Sequence, residues 1–238
     1  MNHNRTLKIL VIDDEADMLK AIRLTINVQE PEWEVIEADS GEKGLALIDR
    51  EEPDLVLLDL RMPRMSGFDV LKKLRLYSNV PVIVLTVESD ELIEVKALEI
   101  GADDFITKPF GNLELIAHIR SVIRRAEGFE VITNETLKTG NLEINFNNHT
   151  VNKDNRLIGL TSTEFAFLEL LARNKGQVIP FEVILGKIWG QYALDSRDYL
   201  KVYIRKLRVK LEDDPSNPQF LQTVNGLGYK FLDNSERN

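Results

Sequence analysis

Five residues in the first half of the sequence carry groups that could accept and hold a phosphoryl group. Asp13 and Asp14 directly follow one short apolar run, and Asp59 directly follows another. Three carboxylates in one crevice repel each other unless a cation is bound, and oxygen ligands favour a hard ion such as Mg2+. Such an ion would let a carboxylate act as a nucleophile towards phosphorus. The hydroxyl of Thr86 and the ammonium of Lys108, which end two further runs, would hold the remaining phosphoryl oxygens.

These five residues can meet only if the apolar runs form one sheet. The runs are short and mostly continuous, which is typical of strands buried on both faces of a parallel sheet. They cover residues 7–12, 35–36, 55–58, 82–85 and 105–106. Helical patterns separate them, with Ser40 and Ser66 as predicted N-caps, so we expect a doubly wound α/β fold. In the strand order 2-1-3-4-5 the first and third strands are neighbours, and ligands bind at their carboxyl ends.

Each of these residues alone has a simpler structural role, so the prediction depends on the joint pattern. A single Asp14 is usually a helix cap, Thr86 a buried strand residue and Lys108 a solvated charge. The phosphatases and mutases that form an aspartyl phosphate are a competing class of enzyme. They typically need a second acid two residues on, and here that position is Arg61. Because there is no cysteine and the three histidines are scattered, thiolate chemistry is excluded and a zinc enzyme is disfavoured.

Residues 7–125 resemble the receiver domain of two-component response regulators. The resemblance is carried by Val-Ile-Asp-Asp-Glu at 11–15, Leu-Leu-Asp-Leu-Arg-Met-Pro at 57–63 with Ser66-Gly67, Val-Ile-Val-Leu-Thr at 82–86, and Gly-Ala-Asp-Asp-Phe-Ile-Thr-Lys-Pro-Phe at 101–110. It implies that Asp59 is the phospho-acceptor and that Asp14 and Asp59 bind Mg2+ directly. Asp13 would act through water, and the main-chain carbonyl of Arg61 would be a further ligand. The resemblance also implies that the chain is not an enzyme beyond phosphoryl acceptance and slow self-dephosphorylation.

The same resemblance implies how a phosphorylated receiver passes its signal on. Thr86 and Phe105 would be the coupled switch pair, and Lys108–Pro109 would be a cis peptide bond. In regulators of this kind, the face built by the fourth helix, the fifth strand and the fifth helix forms a symmetric homodimer. The charged residues expected to pair on this face are Asp103 or Asp104 with Arg120.

The second half of the sequence predicts a separate α+β domain. The periodicity is interrupted near Gly128, so we divide the chain into a first domain at 1–125, a linker at 126–137 and a second domain at 138–238. Short, polar-interrupted segments then predict small antiparallel strands. Helical patterns follow at 163–173, 181–189 and 195–211, the first with a capping box from Thr161 and Glu164. Asn-Gly-Leu-Gly at 225–228 predicts a hairpin turn.

The third of these helical patterns concentrates positive charge in an acidic chain. The net charge is -9, of which -8 belongs to residues 1–125 and -1 to residues 126–238. Residues 197–210 nevertheless hold six basic residues against one acid. The pattern places four apolar residues on one face of a helix and four basic residues on the other: Leu200, Ile204, Leu207 and Leu211 against Arg197, Lys201, Arg205 and Arg208. A solvated face is the usual explanation, but any nucleic-acid contact should come from here.

Several motifs of the second half resemble the winged-helix output domain of the OmpR/PhoB class. They are Leu-Thr-Ser-Thr-Glu-Phe at 160–165, Ile-Trp-Gly at 188–190, Tyr-Ile-Arg-Lys-Leu-Arg-Val-Lys-Leu-Glu at 203–212 and Thr-Val-Asn-Gly-Leu-Gly-Tyr at 223–229. Segments 199–204 and 213–218 resemble the KdpE-like branch of this class. The resemblance implies DNA contacts by Arg197, Lys201, Tyr203, Arg205 and Arg208 in and beside the major groove, and by Asn225 in the wing.

Together these patterns predict a flavodoxin-like (βα)5 receiver followed by a winged-helix DNA-binding domain. The working hypothesis is a transcription regulator in which a sensor histidine kinase phosphorylates Asp59, receivers dimerise, and paired winged helices bind promoter repeats. RNA polymerase is a further partner that the resemblance implies. The rival hypothesis is a constitutive DNA-binding protein whose receiver only dimerises. With neither a signal peptide nor roughly 18 to 20 consecutive apolar residues, we expect a cytoplasmic protein without membrane contact.

Overall fold

The computed structural model describes residues 6–87, 91–127, 136–189 and 197–232, which fall into two units at 1–123 and 124–238. This division lies two residues before the predicted end of the first domain at Arg125. Most of the predicted linker, residues 128–135, lies outside the described residues, so its extent stays a prediction. Among the described helices, none combines the length and apolarity needed to cross a membrane.

In the first unit, strands and helices alternate through five repeats. The strands are β1 (Lys8–Ile12), β2 (Glu34–Ala38), β3 (Leu55–Asp59), β4 (Val82–Thr86) and β5 (Asp104–Thr107). The helices are α1 (Ala16–Gln29), α2 (Gly41–Glu51), α3 (Gly67–Leu74), α4 (Glu91–Ile100) and α5 (Asn112–Glu127). The strands form one parallel sheet in the order β2-β1-β3-β4-β5, which confirms the predicted topology.

Both faces of this sheet are covered, which explains why its central strands read as continuous apolar runs. Alternate strand residues such as Val11 and Leu57 share a core with α1 and α5. Ile12 points to the opposite face. There it meets α2 so closely that a Cβ on Gly44 would lie 2.4 Å from its Cδ1. The predicted N-caps are confirmed, since Ser40 Oγ accepts from Lys43 N (3.5 Å) and Ser66 Oγ accepts from Asp69 N (3.3 Å).

In the residues that the structure describes, the second unit combines two small antiparallel sheets with three helices. Its strands are β6 (Thr136–Thr139), β7 (Leu142–Asn145), β8 (Thr150–Lys153), β9 (Arg156–Ile158), β10 (Val178–Pro180), β11 (Leu221–Val224) and β12 (Gly228–Phe231). Its helices are α6 (Ser162–Arg173), α7 (Phe181–Ile188) and α8 (Arg197–Leu211). One sheet has the order β6-β7-β8-β9 and the other β10-β12-β11, so the predicted terminal hairpin gains β10 as a third strand that the sequence pattern missed.

Helix α6 forms the centre of the second unit, because nearly its whole surface is buried, Phe167 and Leu171 included. The predicted capping box at its start is confirmed, with Thr161 Oγ1 accepting from Glu164 N and Glu164 Oε2 accepting from Thr161 N. The four apolar residues predicted to line one face of α8 are all buried, at 0–4% exposure. These residues place the apolar side of α8 against the core.

Candidate functional site

The carboxyl ends of four strands bring the predicted reactive groups together. Asp13 follows β1 and Asp59 ends β3, and these two strands are direct neighbours. Thr86 ends β4, and Lys108 follows β5. The Lys108 ammonium lies between the two acids, 2.7 Å from Asp13 Oδ2 and 2.6 Å from Asp59 Oδ1. The structure thus brings Asp13, Asp59 and Lys108 into contact, and the participation of the Thr86 hydroxyl and of Asp14 in the same crevice stays a prediction.

The charged groups of this crevice are buried, so they interact more strongly than they would in water. Asp13 is 0% exposed, Asp59 4% and Lys108 9%. Burial raises the pKa of the Asp59 carboxyl, although the hydrogen bond and charge of Lys108 act to lower it. Burial by itself would lower the pKa of Lys108, but its hydrogen bonds with Asp13 and Asp59 raise that pKa above the ordinary 10.5. Lys108 is therefore a cation at neutral pH.

Main-chain groups fix the orientation of both carboxylates. Arg61 N donates to Asp59 Oδ2 at 2.6 Å, and Glu15 N donates to Asp13 Oδ1 at 2.8 Å. Each acid thus has one oxygen on a backbone N–H and the other on Lys108. An acid held in this way meets an incoming electrophile in a set orientation.

The oxygen chemistry of this crevice fits a hard divalent cation. Asp13 and Asp59 place two buried carboxylates on one ammonium, and the exposed Asp14 follows directly in the chain. Within the described ranges, no group of three or more acidic, histidine or cysteine side chains is already arranged around one point. The donors therefore suit Mg2+ in kind, and the full ligand set, including Asp14 and the Arg61 carbonyl, stays a prediction.

Gly67, at the start of α3, passes very close to the main chain of Asp59. A Cβ added at this position would lie 2.1 Å from the Asp59 carbonyl oxygen and 2.8 Å from Leu60 Cα. Gly67 N also donates to Leu60 O at 3.0 Å. In the sequence Gly67 is only one residue of a family motif, whereas the structure gives the physical reason for a glycine at this position.

The residues predicted to form the switch lie beside this crevice. Thr86 is 2% exposed, and its carbonyl accepts from Lys108 N at 2.6 Å. Phe105, on the neighbouring strand β5, is partly exposed. The Lys108–Pro109 bond is cis, which confirms that prediction. The movement of Thr86 and Phe105 as a pair stays a prediction.

The predicted dimer face needs one correction. Asp103 is 0% exposed, since it accepts from Arg75 Nη2 (3.1 Å) and from Val82 N (3.1 Å) inside its own unit. Its side chain ties α3 to the sheet and is not available to a second copy, so its assignment to the dimer face was wrong. Asp104 lies 3.1 Å from His118 Nδ1 on α5. The exposed Arg120 pairs with Glu30, and its role in a dimer stays a prediction.

The predicted DNA contacts on α8 separate into exposed and buried residues. Lys201 and Arg205 are exposed, and Lys201 pairs with Asp198. Tyr203 is 0% exposed and packs with its ring centroid 5.2 Å from that of Trp189, so its assignment as a DNA contact was wrong. The side chain of Arg197 lies outside the described residues.

Two further predicted contacts lie on and beside the hairpin of β11 and β12. Arg208 is half-buried and donates to Leu221 O from Nε (3.0 Å) and Nη2 (2.8 Å), and to Thr223 Oγ1 (2.8 Å). It therefore connects α8 to β11. Asn225 is exposed in the turn between β11 and β12, where Gly226 has a φ of 75°. That turn has the geometry of a wing.

Sequence reasoning missed one exposed apolar residue on α8. Val209 is 63% exposed and lies one helical turn after Arg205 on the same face. The sequence signal was present, because Val209 falls outside the apolar repeat formed by Leu200, Ile204, Leu207 and Leu211. An apolar group on a DNA-contacting helix can pack against a thymine methyl group.

Comparison with known proteins matches both units to described families. A family model described as response regulator receiver domain matches residues 9–120, and a second, described as transcriptional regulatory protein, C terminal, matches residues 154–231. The transcriptional regulatory protein KdpE of Mycobacterium tuberculosis is 41% identical over 223 residues, which cover 94% of this chain and 98% of that protein. The probable transcriptional regulator ycf27 of Porphyridium aerugineum is 43% identical over 231 residues, covering 94% and 95% of the two chains.

A solved structure is also similar to nearly the whole chain. The response regulator DrrB of Thermotoga maritima, an OmpR/PhoB homologue, matches with a TM-score of 0.51 at 30% sequence identity. The match covers 96% of this chain and 100% of DrrB. Both units are therefore found in the same order in this relative.

Proposed function

This chain belongs to the OmpR/PhoB class of two-component response regulators, and on that premise we propose that phosphorylation of Asp59 controls promoter binding through α8. The observation that carries the proposal is the ammonium of Lys108, shared between Asp13 and Asp59 at 2.7 and 2.6 Å. A buried carboxylate beside a fixed cation is suited to attack phosphorus and to hold the charge that results.

In the proposed reaction, a sensor histidine kinase supplies the phosphoryl group from a phosphohistidine. A carboxylate oxygen of Asp59 attacks phosphorus as the P–N bond breaks, and the imidazole leaves with the bonding electron pair and takes up a proton. Arg61 N–H holds the carboxylate in its orientation, and Lys108 moves from pairing with a carboxylate to pairing with a phosphoryl oxygen. Thr86 would donate its hydroxyl to another of these oxygens.

Mg2+ is the cofactor that suits the oxygen donors of this crevice. Asp14 and Asp59 would hold it directly, with Asp13 acting through water and the Arg61 carbonyl as a further ligand. When bound, it supplies positive charge that offsets the repulsion between the nucleophile and the phosphoryl group. Arg61 stands where an aspartyl-phosphate enzyme would have its second acid, so we propose acceptance and slow self-dephosphorylation rather than turnover of a separate substrate.

Mass spectrometry tests the phosphoryl-acceptor role directly. Incubation with acetyl phosphate and Mg2+ should add one phosphoryl group to the wild-type chain and none to Asp59→Asn. Omission of Mg2+ should slow the labelling strongly. Equal labelling of the variant would contradict the role of Asp59, and an unlabelled wild type would favour the rival hypothesis of constitutive DNA binding.

The output of the proposed reaction is a homodimer on double-stranded promoter DNA. Phosphorylation replaces the single negative charge of the Asp59 carboxylate with a phosphoryl group of roughly -1.5 to -2 charges and three acceptor oxygens. Thr86 can then bond one of these oxygens, and Phe105 can fill the space that Thr86 leaves. We expect dimerisation through α4, β5 and α5, and binding to direct repeats spaced by about 10 to 10.5 base pairs. RNA polymerase at the same promoter is the proposed downstream partner, and the cytoplasm is the proposed location. Sedimentation with and without acetyl phosphate measures the dimer step.

A further inference from the structure

Glu164 is a fully buried acid that joins α6 to the basic helix α8. Its Oε2 accepts from Lys210 Nζ at 2.6 Å and from Thr161 N at 2.9 Å. Lys206 Nζ lies 3.0 Å from Oε1. Glu164 itself is 0% exposed. Two of the six basic side chains between 197 and 210 are therefore bound to an acid inside the domain.

The two lysines lie on a different side of α8 from the exposed basic residues. A helix turns by about 100° per residue, since it has 3.6 residues per turn. Lys206 and Lys210 are one turn apart, and they lie about 140° around the helix from Lys201 and Arg205 respectively. The lysine side chains are 16% and 31% exposed, against 73% for Lys201. One side of the basic helix is thus fixed to the domain and another faces outwards.

The ion pairs keep Glu164 charged despite its burial. Burial alone would raise the pKa of this carboxyl, but the charges of Lys206 and Lys210 lower it below the ordinary 4.5. A buried charge that loses its partners is strongly unfavourable, so rotation of α8 away from Glu164 is opposed. The four buried leucine and isoleucine residues set which side of α8 faces the core. The two ion pairs restrict the rotation of α8 more narrowly, because each holds a lysine Nζ within 3.0 Å of a Glu164 oxygen.

We propose that Glu164 is a positioning residue for DNA recognition, which fixes the rotation of α8 about its axis by binding Lys206 and Lys210. Lys201, Arg205 and Val209 are thereby held outwards as one surface. The proposal rests on the proposed role of α8 as the DNA-contacting helix. It separates the basic residues of α8 into those that touch DNA and those that orient the helix.

Glu164→Gln tests this role, with Glu169→Gln as the matched control. Gln keeps the shape of Glu164 and an acceptor for Thr161 N, but it loses the charge that binds the lysines. Glu169 is also on α6 and 1% exposed, but its contact is with Arg173 of the same helix, at 2.8 Å. Two probes are used: a duplex that phosphorylated wild-type protein selects from a random pool, and a scrambled duplex of equal length. Binding is measured well below the unfolding temperature of each variant.

The readout is the ratio of affinities for the two duplexes. Glu164→Gln should lower the ratio about tenfold, comparable to one mismatched base pair, while Glu169→Gln leaves it unchanged. A purely structural role would weaken binding to both duplexes together, and an unchanged ratio in Glu164→Gln would overturn the proposal. Arg205→Ala tests the DNA-contacting role of α8 separately. If this variant keeps wild-type affinity and selectivity, that role is contradicted, whatever the result for Glu164→Gln.

Lys210→Gln provides a second test if Glu164→Gln does not fold. Its side chain lies at the rim, so the substitution leaves no buried cavity. It should lower the affinity ratio several-fold without changing the slope of log K against log salt concentration. A slope reduced by about 0.9 would mean that Lys210 contacts a phosphate directly, and that result would overturn its orienting role.

Discussion

Lys108 lies between Asp13 and Asp59, where its positive charge offsets the repulsion between the two buried carboxylates. Replacing it with Gln leaves two buried carboxylates without their shared ammonium. Loss of one partner of a buried ion pair costs about 3 to 5 kcal/mol. We therefore expect Lys108→Gln to lower the free energy of unfolding of the first unit by about 3 kcal/mol in urea titrations at pH 7.

The exposed Lys73 on α3 provides the control, since Lys73→Gln should change stability by less than about 0.5 kcal/mol.

The contribution of Lys108 to the free energy of unfolding depends on pH with a definite sign. Because the pKa of Lys108 is raised in the folded protein, its contribution is fully present below pH 10.5 and is lost only as the pH rises through the higher folded value. Equal stability of Lys108→Gln and wild type would show that the ammonium contributes little.

Arg205 and Arg208 are three residues apart but have different surroundings. Arg205 is exposed, whereas Arg208 bonds Leu221 O and Thr223 Oγ1. We expect Arg205→Ala to reduce the salt slope of DNA binding by about 0.9 and to leave folding unchanged. Arg208→Ala should lower the free energy of unfolding by about 1 to 3 kcal/mol, because Leu221 O loses its partner. Salt titrations of DNA binding and urea unfolding of both variants distinguish the DNA-contacting role of Arg205 from the structural role of Arg208. If both variants gave the same salt slope and the same free energy of unfolding, this distinction would be contradicted.

Among the helices, α6 is the one whose start was most firmly specified by the sequence. Thr161 and Glu164 form a capping box, and Thr161 is 3% exposed. Thr161→Ala should destabilise the second unit by about 1 kcal/mol through loss of the cap. Thr161→Ser keeps the oxygen that accepts from Glu164 N and serves as the control. Urea midpoints that are equal for Ala and Ser would show that the cap has no measurable effect.

The sequence predicted elements that repeat a strong pattern and missed those that depend on tertiary pairing. The five parallel strands were predicted because each is a continuous apolar run. Strand β10 was missed because its three residues, Val178 to Pro180, acquire strand geometry only by pairing with β12. The site was predictable for the same reason. Asp13, Asp59 and Lys108 end or follow strands of the predicted sheet, so the sheet brings them together independently of the loop conformations.

Side-chain partners were the part of the site that the sequence could not supply. Asp103 was assigned to the dimer face from the family resemblance, but Arg75, which is 28 residues away, binds it inside the fold. Tyr203 lies between basic residues in sequence, but its helical position turns it towards Trp189. Partner choice between distant segments depends on packing that no local pattern encodes.

At the scale of the whole molecule, the two units have separate cores and one tryptophan each. Trp33 packs against the core of the first unit, and Trp189 is 4% exposed in the second. Single-tryptophan variants, Trp189→Phe and Trp33→Phe, therefore report the unfolding of each unit by fluorescence. Mg2+ at about 100 times its Kd should stabilise the unit that holds Asp59 by about 2.7 kcal/mol.

The transition reported by Trp33 should shift to higher urea concentration with Mg2+, and that reported by Trp189 should not. Ca2+ favours longer oxygen distances and more ligands than Mg2+, so at the same concentration it should shift the Trp33 transition less. Equal shifts at both tryptophans would show that the units unfold as one. No shift at either would contradict a magnesium site in the first unit.

The contact between Gly67 and the Asp59 carbonyl has a consequence for tolerance to mutation. Any side chain at position 67 must displace the main chain of Asp59, the proposed phospho-acceptor, because its Cβ would lie 2.1 Å from that oxygen. A saturation library scored for growth that depends on signalling should therefore show position 67 to be as intolerant as position 59. Gly67, which has no side chain to react, would then be retained as strictly as the proposed nucleophile Asp59.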